Sequence, residues 1–283
     1  MTTSTLIMDK PKIAGKKEAI KVAPEAKIKK KKVKRNLSGF ILPLLLLLLW
    51  EIIAANHWVK PYFLPAPLTV VHTFYRMVLF QNFWTDFQTS ILTVIQGFIA
   101  GAVLGLLFGI GSGLSKKFEV FFGGTLNGIR QVPPMAWLPL IILWIGVGNT
   151  AKVVIIAKAV FFPVFLNTLQ GIRSVPKEYI EVAKVFEYTR LQLLRFVVLP
   201  SALPSIFVGL RYGAGLSWAM IVAAEMVSGL QGLGFLLLRA QELLITDELF
   251  VVMVVIGVVG FGIDLVIRSI EKRVLRWKKA YEG

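Results

Sequence analysis

The chain has no cysteine and only two histidines, and its 16 acidic residues are outnumbered by 32 lysines and arginines over 283 residues. The missing cysteines exclude disulfides and thiolate metal sites. His57 and His72 are too few and too isolated for a metal site, and both are expected near a membrane surface. No Gly-x-x-x-x-Gly-Lys-Ser/Thr phosphate loop occurs, so the chain cannot cradle ATP in that way. No catalytic residues and no cofactor are expected, and the chain is not read as an enzyme. Charge itself is scarce, at 17% against about 25% in a soluble domain.

What fills the chain is apolar: 56% of residues are hydrophobic. They cluster in runs of about 20, the length that crosses a hydrocarbon core. Six spans are predicted, at about 39–58, 90–114, 118–145, 150–172, 193–226 and 250–270, giving an all-α polytopic membrane protein. Pro133, Pro134 and Pro139 interrupt the third span, Pro163 lies in the fourth, and Pro200 and Pro204 open the fifth. Proline removes a backbone hydrogen bond, which at membrane depth only protein or water can restore, so these spans belong inside a bundle. Between the first two spans, the positions from Val70 to Val78 predict a short amphipathic surface helix. A second surface or re-entrant helix is expected around 236–244.

The second span carries Gly97, Gly101, Gly105, Gly109 and Gly113. Steps of four wind slowly around a 3.6-residue helix, so these glycines form a groove that admits another helix at close range. Packing within the subunit is the plainer use of the groove; a dimer contact or a sliding surface is the alternative.

Residues 1–38 form a basic tail with the core Lys29-Lys30-Lys31-Lys32-Val33-Lys34-Arg35. Without aromatics or apolar periodicity it is expected to be disordered and to lie against anionic lipid. A nucleic-acid-binding arm is the alternative, and nothing else in the chain supports it. Residues 39–283 are read as one membrane domain. Placing both termini in the cytoplasm puts 25 of the 32 basic residues on that side and only Lys60, Arg76, Lys152 and Arg239 in outer loops, as the positive-inside rule requires.

The segment 174–200 departs most from a plain membrane chain. Pro176 suits a first helical turn, and Glu178 and Glu181 complement the positive helix end. Ile180, Ala183 and Phe186 offer an apolar edge. Thr189 with Gln192 forms a capping box that starts a second helix. An amphipathic helix between two spans calls for a partner groove.

This loop resembles the EAA motif of bacterial ABC-importer permeases. Glu181 and Ala183 match the motif, Val197 sits at its branched position, and Leu199-Pro200 follows at the family spacing. Val182 replaces an alanine. Glu187 stands where the family has glycine, at a turn that asks for positive φ, where an L-residue costs roughly 1 kcal/mol or more. Trp50-Glu51, Leu64-Pro65-Ala66-Pro67, the run from Arg130 to Trp137, Phe162-Pro163, Ala224-Glu225-Met226 and Gly232-Leu233-Gly234 are similar to the sulfonate, taurine and nitrate branch.

The resemblance implies a type I importer permease fold, MetI-like, in a bacterial inner membrane. It implies a second permease copy, two ABC ATPase subunits, an extracytoplasmic solute-binding protein, and a small organic or inorganic anion as cargo. The loop helix would carry ATPase closure to the spans through Glu178, Glu181, Ala183, Glu187, Leu199 and Pro200. Charged or polar residues in apolar spans face a cavity, a partner or an interface. Arg130, Gln131, Lys158, Arg211 and Glu225 are therefore candidates for a solute path, with ion pairing near helix ends as the plainer alternative. Asp264 is expected to pair with Arg268. A self-contained ion-coupled transporter is the competing function. It predicts inverted repeats, and none relates the two halves of this sequence.

Overall fold

A computed structural model describes residues 41–277; the basic tail of residues 1–38 lies outside the described residues. The chain divides into two units at Leu44/Leu45. Of the first, only the opening turn of helix α1 (Ile41–Ala55) is described.

From Leu45 onward the described elements are helical. After α1 come α2 (Pro67–Phe80), α3 (Phe83–Leu114), α4 (Lys116–Gln131), a 3₁₀ turn at Pro134–Trp137, α5 (Leu138–Ile145) and α6 (Asn149–Arg173). Then follow α7 (Lys177–Val185), α8 (Arg190–Leu193), a π-helical turn at Leu194–Val198, α9 (Leu199–Ser228), α10 (Leu233–Glu242) and α11 (Thr246–Val274). Four helical runs are long and apolar enough to cross a membrane: α3, α6, α8 through α9, and α11.

The glycine groove of α3 is filled from within the chain. A β-carbon on Gly97 would lie 2.6 Å from the Ile156 side chain, and one on Gly105 would lie 2.8 Å from the Phe161 carbonyl. On Gly109 it would lie 2.6 Å from Thr168, and on Gly113 2.8 Å from Ile172. Residue numbers rise together along both helices, so α3 and α6 run parallel. α9 lies against the other side of α6 and runs antiparallel to it. Gly171 faces Ser205, Gly209 faces Asn167 and the Pro163 carbonyl, and Gly213 faces Val160. Small residues let backbones approach where lipid supplies no hydrophobic force between helices, so dispersion and shape hold the three together. α6 is the centre of the packing, with Ile155, Ile156, Val160 and Val164 fully buried.

The third span is interrupted at Pro133-Pro134, as expected, and the break is sharp. α4 and α5 are bent by 92° at the intervening break. Val132 and Pro133 are both extended, at ψ 118° and ψ 141°, because the residue before a proline is driven out of the helical region. α4 is about 24 Å long and α5 about 12 Å at 1.5 Å per residue, each short of the roughly 30 Å core. Because α3 and α6 are parallel, the chain must return from the end of one to the start of the other. The pair α4–α5 is therefore a broken crossing rather than a straight one.

The bundle has two ends. One carries Leu114, Arg173, α7 and the start of α8. The other carries α2, the start of α3 and of α6, the end of α9, α10 and the start of α11. They are called the loop end and the far end below.

Candidate functional site

At the loop end, Pro176 precedes α7 with extended geometry, φ −56° and ψ 136°, and Glu178 occupies the first turn. α7 turns one edge inward. Ala183 is buried, and Ile180 packs on the cluster of Ile172, Val175, Val198, Ala202 and Ile206. The unpartnered edge is thus not the expected Ile180–Ala183–Phe186 line. It is Tyr179, Val182, Val185 and Phe186, each more than half exposed, at the i, i+3, i+7 spacing of one helix face. Glu178, Glu181 and Glu187 are exposed beside it, and Leu199 and Pro200 are half-buried.

The turn after α7 closes with two hydrogen bonds. The Tyr188 N–H donates to the Ala183 carbonyl at 3.1 Å and the Glu187 N–H to the Lys184 carbonyl at 2.9 Å, the pattern of a Schellman cap. Its left-handed position is Glu187, at φ 55°, where glycine would fit without strain. The same cap, with a non-glycine residue in the left-handed position, closes α1 at His57 (φ 52°) and α10 at Leu244 (φ 57°). Thr189 then starts α8 through the expected box. Its N–H donates to Gln192 Oε1 at 2.8 Å, and the Gln192 N–H donates to Thr189 Oγ1 at 3.3 Å.

Pro200 would displace the carbonyl four residues back. That residue, Phe196, lies within the widened π turn. The helix therefore continues through Pro200, and Arg190–Ser228, with Pro204 inside it, is one 39-residue run. It links the turn after α7 directly to the far end.

The far end holds an arrangement that sequence reasoning missed. Three successive amides at the start of α10 each meet a side chain. The Gly232 N–H donates to Asp86 Oδ1 at 2.8 Å, the Leu233 N–H to Ser90 Oγ at 2.9 Å, and the Gly234 N–H to Glu225 Oε2 at 2.9 Å. The Ser90 hydroxyl lies 2.7 Å and 2.9 Å from the two Glu225 oxygens, to which it donates. Lys152 Nζ donates to the Gln231 carbonyl at 3.3 Å.

These amides are the donors a helix N-terminus leaves unpaired, and carboxylates suit them. Gly232 (φ 119°) and Gly234 are required here: a β-carbon would strike the Glu225 carboxylate at the first and the Val222 carbonyl at the second. Lys152, expected in an outer loop, is instead buried in the first turn of α6. The sequence shows Asp86 and Ser90 one turn apart and Glu225 seven residues before Gly232, but nothing in it joins the two segments.

The five proposed path residues do not form one site. Lys158 Nζ donates to the Val132 carbonyl at 3.1 Å and lies 5.2 Å from the Trp137 ring centre. It therefore sits at the break that Arg130 and Gln131 lead into, and those two are exposed at the end of α4. Arg211 instead pairs with Asp264 at 3.0 Å, and Arg268 with the same carboxylate at 2.7 Å; the latter pair is the expected one. These charges line a cleft of about 550 Å³ between α9 and α11. Glu225 belongs to the far junction. An ion pair between Arg173 and Glu119 ties the end of α6 to the start of α4.

With the architecture in view, comparison with known proteins places the chain. Residues 101–277 match the family described as binding-protein-dependent transport system inner membrane component. The chain belongs to that family. It is 37% identical over 247 residues to a Bacillus subtilis (strain 168) permease named SsuC for aliphatic sulfonates transport, covering 87% of this chain and 90% of that protein. It is 34% identical to the taurine transport system permease protein TauC of Escherichia coli (strain K12), covering 82% and 86%. It is 34% identical to the riboflavin transport system permease protein RibX of Chloroflexus aurantiacus, covering 83% and 88%.

The fold is similar to that of a chain of the MetNI methionine ABC transporter in an inward-facing conformation, with TM-score 0.52, 17% identity, and coverage of 74% of this chain and 98% of that one. A crystal structure of an amino acid ABC transporter with histidines gives TM-score 0.51, 20% identity, and coverage of 69% and 92%. The protein is a multi-pass permease subunit of an ABC importer, non-enzymatic in itself. Permeases of this kind work with ATPase subunits and binding proteins. That assignment removes the self-contained ion-coupled alternative.

Proposed function

We propose that this permease imports a small organic or inorganic anion of the sulfonate, taurine or nitrate class, as one of two copies joined to two ATPase subunits. In this reading residues 39–283 form the permease domain and 174–200 its coupling loop. The observation that carries the proposal is the exposed apolar edge of α7, set at the foot of a 39-residue helix that crosses to the far end. A surface of this kind awaits a partner groove, and Glu178, Glu181 and Glu187 would rim the contact. No residue of α4 is fully buried within the chain, which suits a second permease copy. The basic residues Lys116, Lys117, Arg173, Lys177, Lys184 and Arg190 gather at the loop end, which supports a cytoplasmic loop end and cytoplasmic termini. The binding protein would then dock at the far end.

Glu181→Lys tests the coupling surface. ATPase recovered with the purified permease should fall more than tenfold while the permease still inserts. Unchanged recovery together with unchanged uptake would overturn the assignment. Arg130, Gln131 and Lys158 are the proposed anion-path residues; Arg211 and Glu225 are engaged elsewhere. Arg130→Ala and Lys158→Ala complexes should still hydrolyse ATP yet lose uptake of labelled taurine, an alkanesulfonate or nitrate, whichever the intact transporter carries. Wild-type uptake by both variants removes the anion path.

A further inference from the structure

We propose that Glu225 is a positioning residue for transport: with Ser90 it pins the Gly229–Gly234 turn to the end of the α9 helix, so that movement begun at α7 arrives at that turn. The inference rests on the permease reading. Three features of the far junction carry it.

The first is continuity. The run Arg190–Ser228 is helical throughout, and Glu225 lies in its last full turn, three residues before the end. A displacement at Arg190 therefore reaches Glu225 without an intervening loop. The second is the nature of the contact. Glu225 is fully buried, and its carboxylate takes the Gly234 amide and the Ser90 hydroxyl at once. A buried acceptor with fixed donors has no water to substitute for them, so it holds one geometry or breaks. The third is steric. Gly232 and Gly234 lie so close to Glu225 and Val222 that no β-carbon fits. The turn thus cannot slide on the end of α9; it moves with it or detaches. α3 contributes Asp86 and Ser90 and α6 contributes Lys152, so the three packed helices meet at this one turn. Leu230, at its tip, is 53% exposed and free to report.

The absence of cysteine makes the test direct. Leu230→Cys is introduced into the full chain, purified with its ATPase subunits, and labelled with a maleimide in the presence or absence of ATP and vanadate. The labelling rate should change at least threefold on nucleotide trapping. Adding Glu225→Ala or Ser90→Ala should reduce that response to less than half, while ATP hydrolysis stays within twofold of the parent. A merely structural role would lower recovery and hydrolysis together and leave the nucleotide response of the recovered complex intact. That outcome overturns the proposal. Ser90→Ala, which removes one hydroxyl, decides the question if Glu225→Ala is not recovered. A hydrolysing complex whose Leu230→Cys labelling ignores nucleotide sinks this inference alone. A chain that brings down no ATPase sinks the permease reading with it.

Discussion

The two ends of the bundle solve opposite problems. At the loop end, α7 leaves Tyr179, Val182, Val185 and Phe186 uncovered, and its closing turn places Glu187 in a conformation that suits glycine. At the far end, the Gln231 carbonyl and the amides of Gly232, Leu233 and Gly234 each meet a buried side chain, and glycine stands where contact demands it. A surface that awaits another polypeptide can stay apolar and uncovered in the isolated chain. A junction completed from within must satisfy its own polar groups, because a buried unpaired donor costs about 1–3 kcal/mol.

The sharpest way to break the comparison is Gly234→Ala. The added methyl meets the Val222 carbonyl and comes within 2.8 Å of Glu225 Cβ. Neither the backbone nor the pinned carboxylate has room to yield. The expected cost is about 3 kcal/mol, at the upper end for overpacking, seen as a several-fold loss of monodisperse protein after extraction. An alanine variant as stable as the parent would mean that the far junction is looser than its geometry implies.

Val182→Asp probes the other end. The side chain is more than half exposed, so folding stability should change by no more than about 0.5 kcal/mol. ATPase recovery should nevertheless fall about tenfold, because a charge is left in an apolar contact. Thermal unfolding and co-purification from one preparation check both halves. A large stability loss with normal recovery would reverse the roles given to the two ends.

Much of the loop end was legible in sequence because its signals are local. The Thr189–Gln192 box formed as expected, and Glu187 took the positive φ that the family glycine implied. The α3 glycine stripe was legible as a groove, since periodicity alone defines a face. Its occupant was not, because any close helix satisfies the pattern; α6 fills it. The far junction joins Asp86 and Ser90 to residues more than 130 positions away, and nothing local announces that meeting. The 92° bend between α4 and α5 was hidden for another reason. Pro133 and Pro134 declare a break but carry no information about its angle, which depends on where α6 must begin. α3 starting at Phe83 rather than near Ser90 has the same origin as the hidden junction. The polar residues that made 83–89 look like a loop include Asp86, which is consumed in a buried contact.

Glu187→Gly should give the smallest effect, and it tests whether the strain at the loop end is real. A left-handed L-residue costs roughly 1–2 kcal/mol, while glycine surrenders about 0.5–1 kcal/mol more backbone entropy on folding. The net gain is therefore about 0.5–1 kcal/mol, and it should be local. α7 is a short helix joined to the rest by the Ile180 and Ala183 edge and can open without unfolding the bundle. Amide hydrogen exchange in the segment 183–188 should slow about two- to five-fold, since 1.4 kcal/mol corresponds to tenfold. The Gly232–Gly234 amides at the other end of the long helix should not change. If they slow as well, the two ends share one opening equilibrium in the isolated chain. If neither changes, Glu187 carries no measurable strain, and the turn does not need a glycine.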